Sequence, residues 1–260
     1  MSSLPFFQVD AFAERPLTGN PAAVMPMESW LDDRLMQAIA AENNLSETAF
    51  TVASQSDAAD FDLRWFTPTT EVELCGHATL AAGHVLLTGE RIRFATRSGI
   101  LSVSRDGGLL HLDLPGYRVQ PGELAGLLPA LGLADAPLFL GREGNGSAIV
   151  LLTDEAAVRA VKPDFAALRQ FDRLVMVTAP GNDQTVVSRV FAGYFGIDED
   201  PVTGAAHASL APFWAERLGR NEFTALQASA RTGLLHCRNA GERVILGGRC
   251  HTVITGTFQL

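Results

Sequence analysis

The sequence predicts an α+β fold built from two pseudo-repeated halves, each a sheet curled around one buried helix. Three observations carry this expectation. A set of turn landmarks occurs twice, in the same order, along the 260 residues. The segment after Gly76 is apolar on nearly every side of a helix, so it needs cover all round. Short alternating stretches bounded by glycine-rich turns read as the strands that would supply that cover.

Taken in order, Phe7 to Ala11 alternates apolar and polar residues and reads as a strand. Leu31 to Glu42 has helical spacing. Leu31, Leu35, Ala38 and Ile39 share a face, and Asp32 and Asp33 stand in the first turn, where the helix dipole favours acids. The helix after Gly76 runs through Ala78, Leu80, Ala81, Ala82, Val85, Leu86 and Leu87 and stops at Gly89. Ile100 to Ser104 and Leu109 to Leu114 form a hairpin turned by Asp106-Gly107-Gly108, with His111 and Asp113 facing outward. Gly116 to Gly122 breaks the pattern and is the candidate linker. The expected halves are therefore 1–116 and 117–260, with the last strand, 250–260, a candidate to pack back onto the first.

The second half repeats the first. Gly19-Asn20 precedes Ala22-Ala23-Val24, and Gly144-Asn145 precedes Ala148-Ile149-Val150. Cys75-Gly76-His77-Ala78-Thr79-Leu80 is matched by Thr203-Gly204-Ala205-Ala206-His207-Ala208. Ser98-Gly99-Ile100-Leu101 is matched by Thr232-Gly233-Leu234-Leu235. The second central helix should run from about Ala205 to Leu218. Pro212 inside it removes one helical hydrogen bond, so a kink or a late start is expected.

Composition excludes several function classes. A net charge of −9 without a basic cluster argues against nucleic acid and anionic membrane as partners. No apolar run approaches the roughly 20 residues of a membrane span, and Met1 to Phe12 does not read as a secretory leader. Three cysteines, Cys75, Cys237 and Cys250, fit free thiols in a reducing compartment. The expectation is a cytoplasmic protein. With no Cys-x-x-Cys pair, no paired histidine spacing, no phosphate loop and no dinucleotide fingerprint, neither metal nor cofactor is expected.

The chemistry-bearing residues gather around the repeated turns. A helix starting just after a glycine turn presents free N–H groups suited to carboxylates and oxyanions. If the halves face each other, Gly76 and His77 on one side and Gly204 and Ala205 on the other would flank a small anionic substrate. Asn20 and Asn145, at matching points of the repeat, are assigned to binding as well. Glu47, in Leu45-Ser46-Glu47-Thr48, lies between a helix and an apolar strand. Asp200 ends the run Asp198-Glu199-Asp200 just before Thr203-Gly204. With His77 they are the titratable groups that sit around the repeated turns; on local pattern alone each could also be a surface carboxylate or a capping histidine.

These residues are also where the chain resembles a known family. Asp10-Ala11-Phe12, Gly19-Asn20-Pro21-Ala22-Ala23-Val24, Asn44-Leu45-Ser46-Glu47-Thr48, Phe66-Thr67-Pro68, Cys75-Gly76-His77-Ala78-Thr79 and Glu199-Asp200-Pro201-Val202-Thr203-Gly204 are similar to the PhzF-like family, which shares the fold of diaminopimelate epimerase. The resemblance implies two domains, each a curved, mostly antiparallel sheet round a central helix, a site between them, and a homodimer. It implies cofactor-independent isomerisation with Glu47 shuttling the proton and His77 and Asp200 assisting. One departure stands out: the family usually has serine after Thr-Gly, and here the residue is Ala205, which keeps its N–H but lacks the hydroxyl. His207 is a candidate to compensate. Two alternatives stay open. One is an epimerase or dehydratase working through Cys75; because Thr203 stands opposite it in the repeat, a symmetric two-thiol racemase is disfavoured. The other is a small-acid binding protein that has lost the chemistry.

Overall fold

The structure, a computed structural model, describes residues 3–141 and 146–260. Two compact units divide the chain: residues up to Leu114 together with Gly247–Leu260, and Pro115–Leu246. The fold is α+β.

In the first unit the elements are β1 (Ser3–Ala11), β2 (Asn20–Met27), α1 (Asp33–Asn43), β3 (Glu47–Ala53), β4 (Phe61–Phe66), β5 (Glu71–Val72), α2 (Gly76–Leu86), β6 (Arg91–Thr96), β7 (Gly99–Asp106) and β8 (Leu109–Pro115). The second holds β9 (Val119–Pro121), α3 (Leu127–Ala130), β10 (Leu138–Gly141), β11 (Ser147–Leu151), α4 (Glu155–Ala160), α5 (Phe165–Leu168), β12 (Leu174–Pro180), β13 (Val186–Ala192), β14 (Ile197–Asp200), α6 (Gly204–Leu218), β15 (Glu222–Gln227), β16 (Gly233–Ala240) and β17 (Arg243–Gly248). The closing strand β18 (Cys250–Gln259) returns to β1, antiparallel, pairing Ala11 with Cys250 and Ser3 with Gln259.

The repeat is topological as well as textual. In the first unit β1 and β2 are antiparallel, β3 is parallel to β2 across α1, and β4 is antiparallel to β3. Strand β5 pairs briefly with β4; α2 then crosses over to β6, parallel to β4. In the second unit β10 and β11 are antiparallel, β12 is parallel to β11 across α4 and α5, and β13 is antiparallel to β12. Strand β14 pairs with β13, and α6 crosses over to β15, parallel to β13. Each sheet is thus mostly antiparallel, with parallel pairs only where a helix makes the return.

Helix α2 is covered because its surface is nearly all small or apolar: residues from Gly76 through Gly83 are buried. It packs against β1, β2, β3, β7 and β18. Gly83 permits the closest approach, since a Cβ there would meet three side-chain carbons of Val103 at 2.6–2.9 Å. On the other face of the sheet, α1 buries Met36, Ile39 and Ala40 against Met25, Met27, Phe50 and Phe66. The face differs from the expected one. Leu35 is 37% exposed, because the stripe that packs on Met25, Met27, Phe50 and Phe66 runs through Met36, Ile39 and Ala40, one residue round the helix from Leu35.

Three other expectations need adjustment. The first central helix ends at Leu86, so Gly89 lies beyond it. The linker region contains a strand: Val119–Pro121 pairs with Phe139–Gly141 of β10. Pro212 neither delays nor interrupts α6, which runs from Gly204. The Ala208 carbonyl, which Pro212 has no N–H to reach, accepts the Tyr117 N–H at 2.9 Å instead. The expected hairpin is present. Gly107 and Gly108, at φ +55° and +80°, form the two-residue turn joining β7 to β8. Among the described residues no helix is long and apolar enough to cross a membrane.

Candidate active site

Three elements of the first unit converge on His77. Asn20 opens β2 and Glu47 opens β3, and the parallel register sets Ala22 beside Glu47. Gly19, at φ +70°, makes the approach possible, since a Cβ there would lie 2.3 Å from the Ala11 carbonyl oxygen. His77 is the second residue of α2, and Cys75 is the N-cap. The imidazole Nδ1 is 3.2 Å from the Asn20 amide nitrogen and 3.5 Å from the Cys75 sulfur. Nε2 is 3.0 Å from Glu47 Oε2. All four side chains are buried. Neither Nε2 nor Oε2 has an aligned hydrogen-bond partner, so their contact is one of charge and proximity, not a directed bond.

The Asn20 amide nitrogen and the Cys75 sulfur both lie at Nδ1, while Nε2 faces the Glu47 carboxylate. Burial pushes the imidazolium down, but Cys75 and Glu47 beside the ring push it up further, and His77 is held well above 6.5. Burial pushes the Cys75 thiol up to about 11, with Glu47 adding to the rise. The thiol therefore keeps its proton at neutral pH, and Glu47 is the negative partner present there. Glu47, Cys75 and His77 also offer donor atoms within 4.8 Å of one another, a grouping able to hold one metal ion. Such an ion would first have to displace the thiol proton.

In the second unit Asp200 ends β14 just before α6. The three successive acids separate by role. Asp198 pairs with Arg169 at 2.9 Å, and Glu199 takes two nitrogens of Arg189 at 2.8 Å each. Asp200 alone is buried. Its Oδ2 accepts the Thr203 hydroxyl. The fully buried Gln227 clamps the same turn: Oε1 accepts the Thr203 N–H at 2.9 Å, and Nε2 donates to the Asp200 carbonyl at 2.7 Å and to Thr203 Oγ1 at 3.2 Å.

Gly204 and Ala205 open α6, and no side chain caps its first turn. Ala205 occupies the place that His77 holds in α2. His207 is fully buried, with Nδ1 donating to the Thr203 carbonyl at 2.9 Å. It repeats the bond that Thr79 makes to the Cys75 carbonyl in α2. Burial holds its pKa down to about 4, so at neutral pH His207 is an uncharged part of the helix start and not an acid. Asn145, and Gly144 before it, lie outside the described residues.

Two features escaped the sequence reading. Gln227 shares the inward phase of Phe223 and Ala225 on β15, and a polar residue in an apolar phase was its signal. The second is a matched pair of ion bridges. Arg64 on β4 binds both oxygens of Glu71 on β5 and stacks over Phe66; Arg189 on β13 binds Glu199 on β14 and stacks over Phe191. The repeated Arg-x-Phe was visible but carried no meaning until β5 and β14 were placed.

The sequence model of the phenazine biosynthesis-like protein family (PhzC-PhzF) matches residues 9–256. Two uncharacterized isomerases of Pseudomonas aeruginosa are 49% and 50% identical to the chain, over 99% of it and 99% of their own lengths. The crystal structure of a phenazine biosynthesis protein of the PhzF family from Enterococcus faecalis superposes with a TM-score of 0.91 at 42% identity, covering 100% of both chains. On this coverage and likeness, the chain belongs to the phenazine biosynthesis-like (PhzC-PhzF) family and is an isomerase.

Proposed function

We propose that the protein moves a proton between carbon atoms of a small carboxylate-bearing metabolite without a cofactor, and that Glu47 carries the proton. The observation that supports this most is the buried Glu47–His77 contact at 3.0 Å, in which both facing atoms lack an aligned partner. A carboxylate in that position can take a proton from a C–H bond and return it to a different carbon. The C–H bond broken is replaced by a C–H bond formed, and no redox partner is needed. His77, held well above 6.5, supplies positive charge to the enolate-like intermediate. Asn20 orients the ring. The Gly76 N–H at the start of α2, beside His77, binds the substrate carboxylate. Asp200, fixed by Thr203 and Gln227, positions the substrate. The enzyme acts as a cytoplasmic homodimer, and light scattering at the mass of a single chain would refute the dimer.

The test is solvent-deuterium incorporation into a panel of small carboxylic acids. Glu47→Gln keeps the shape of the side chain but cannot carry the proton. Exchange should fall about 10²-fold or more with ligand affinity nearly unchanged. Near wild-type exchange in Glu47→Gln would overturn the reading. Cys75 sustains a second reading, because its sulfur touches Nδ1 of the same ring at 3.5 Å. A thiol held up to about 11 makes it the weaker candidate, so Cys75→Ser should retain exchange. Loss of exchange in a folded Cys75→Ser would make the thiol the proton carrier.

A further inference from the structure

A cavity of about 290 Å³ opens in the first unit between the C-terminal end of α2, the β7–β8 turn and the start of β18. It does not include Asn20, Glu47, Cys75 or His77. Its wall carries His84, Arg105, Arg249 and His251 and no aspartate or glutamate. In a chain of net charge −9 such a one-sign wall is a local reversal. The larger cavity of the second unit, about 600 Å³, shows the contrast: there Arg118 and Arg217 share the wall with Glu216.

The basic groups are also poorly compensated. Arg105 makes no ion pair among the described residues, and Arg249 reaches only the exposed Glu14, at 3.8 Å. His84 Nε2 meets the Thr252 hydroxyl at 3.1 Å. His251 Nε2 is buried without any hydrogen-bond partner. Burial, then the charges of Arg105 and His251, push His84 down. The nearby carboxylate is buried Asp10, opposite His251 across β1 and β18; its Oδ2 accepts the Leu17 N–H at 2.7 Å, and its charge adds to the burial that holds the Cys250 thiol up to about 12.

We infer that this cavity is a second ligand site, which takes a small phosphate-bearing metabolite by its phosphate group. Two guanidinium forks match phosphate oxygens in geometry, and two imidazoles add donors once protonated. Four basic groups suit a dianion better than a monoanion. The volume is at the lower end of the roughly 300–1,000 Å³ usual for ligand pockets, so it accepts a phosphate with a short attachment and not a whole nucleotide.

Inorganic phosphate is the probe, titrated by calorimetry at constant ionic strength against sodium chloride and acetate, with the histidine ring protons followed by NMR. Saturable one-site binding is expected, with the His84 and His251 signals moving. Arg105→Ala and Arg249→Ala replace exposed side chains and should melt like the wild type. Each removes a charge-assisted hydrogen bond and should weaken binding roughly ten- to a hundredfold. Glu47→Gln should bind phosphate as the wild type does, which separates this site from the proposed proton carrier. The inference is overturned by heats indistinguishable from chloride, by acetate binding as tightly as phosphate, by unchanged affinity in both arginine variants, or by movement of the His77 signal alone.

Discussion

Replacing Gln227 with leucine tests whether the Asp200 turn is held from behind. The side chain is fully buried and serves two backbone groups, the Thr203 N–H and the Asp200 carbonyl. Leucine has similar bulk but no polar atoms, so both groups lose their partner inside the protein. An unsatisfied buried backbone group costs about 1–3 kcal/mol, which puts Gln227→Leu at about 2–6 kcal/mol. Near this chain length each kcal/mol moves the melting temperature by about 2–4 °C. Taking the middle of that range, a fall of about 8–16 °C is the central expectation. Thermal melts by circular dichroism give the number, and deuterium exchange below the transition gives the functional effect, which should be a loss as Asp200 loosens. Gln227→Glu keeps an acceptor for Thr203 but places a second negative charge by Asp200, so it should be no more stable than Gln227→Leu. A Gln227→Leu protein melting within about 2 °C of wild type would show that the turn does not depend on this clamp.

Other substitutions probe separate parts of the fold. His207 is held down to about 4 in the folded protein, against about 6.5 unfolded. Above pH 6.5 it is neutral in both states; between 6.5 and 4 only the unfolded chain takes the proton, so stability falls with pH by up to about 3 kcal/mol. His207→Asn should flatten that acid limb in urea titrations at stepped pH, and an unchanged slope would count against it. Gly83→Ala drives a methyl group into Val103 and should cost about 1–3 kcal/mol, relieved in part in Gly83→Ala/Val103→Ala, which keeps the Val103 Cβ at 2.8 Å, and further in Gly83→Ala/Val103→Gly; no relief in either would mean the clash is not the cause. Pro212→Ala gives α6 back an N–H that competes for the Ala208 carbonyl, so the Tyr117 amide should exchange its hydrogen faster, and equal exchange rates would refute the competition.

What the sequence made legible follows from the range of the physics involved. The glycines at 19, 76 and 99 and their second set mark backbone constraints fixed by a few neighbouring residues, and the strands and crossovers repeat around them. The burial of α2 was legible because a helix apolar all round has one solution. The Gly107-Gly108 turn was legible because two adjacent positive φ angles select glycine. The buried stripe of α1 was misplaced because Leu35 and Met36 are both apolar neighbours, and which of them turns inward is set by packing against Met25, Phe50 and Phe66, not by the local pattern. Val119–Pro121 is too short and too proline-marked to read as a strand; only β10 beside it makes it one. Sequence singled out His77, Glu47, Asp200, Asn20 and Cys75, but not which of them touch, nor Gln227. Cys75 against Nδ1 and Gln227 behind Asp200 depend on side chains meeting across distant segments, which no local pattern reports.

The pairing of β18 with β1 sets an order of completion for the nascent chain. Ser3 leaves the ribosome long before its partner Gln259. Until then β1 has β2 on one edge and nothing on the other. The second unit is one uninterrupted segment, Pro115–Leu246, and has all its residues before the first unit has its closing strand. The half that begins synthesis is the half that finishes last, and an open, partly apolar edge must wait through the making of the other. The same pairing brings the two ends of the chain side by side, so a short peptide joining them should be tolerated, with new termini opened at an exposed turn such as Gly107-Gly108. A chain so permuted would present β18 and β1 as neighbours in sequence, turning the longest-range pairing of the sheet into a local hairpin and removing the wait.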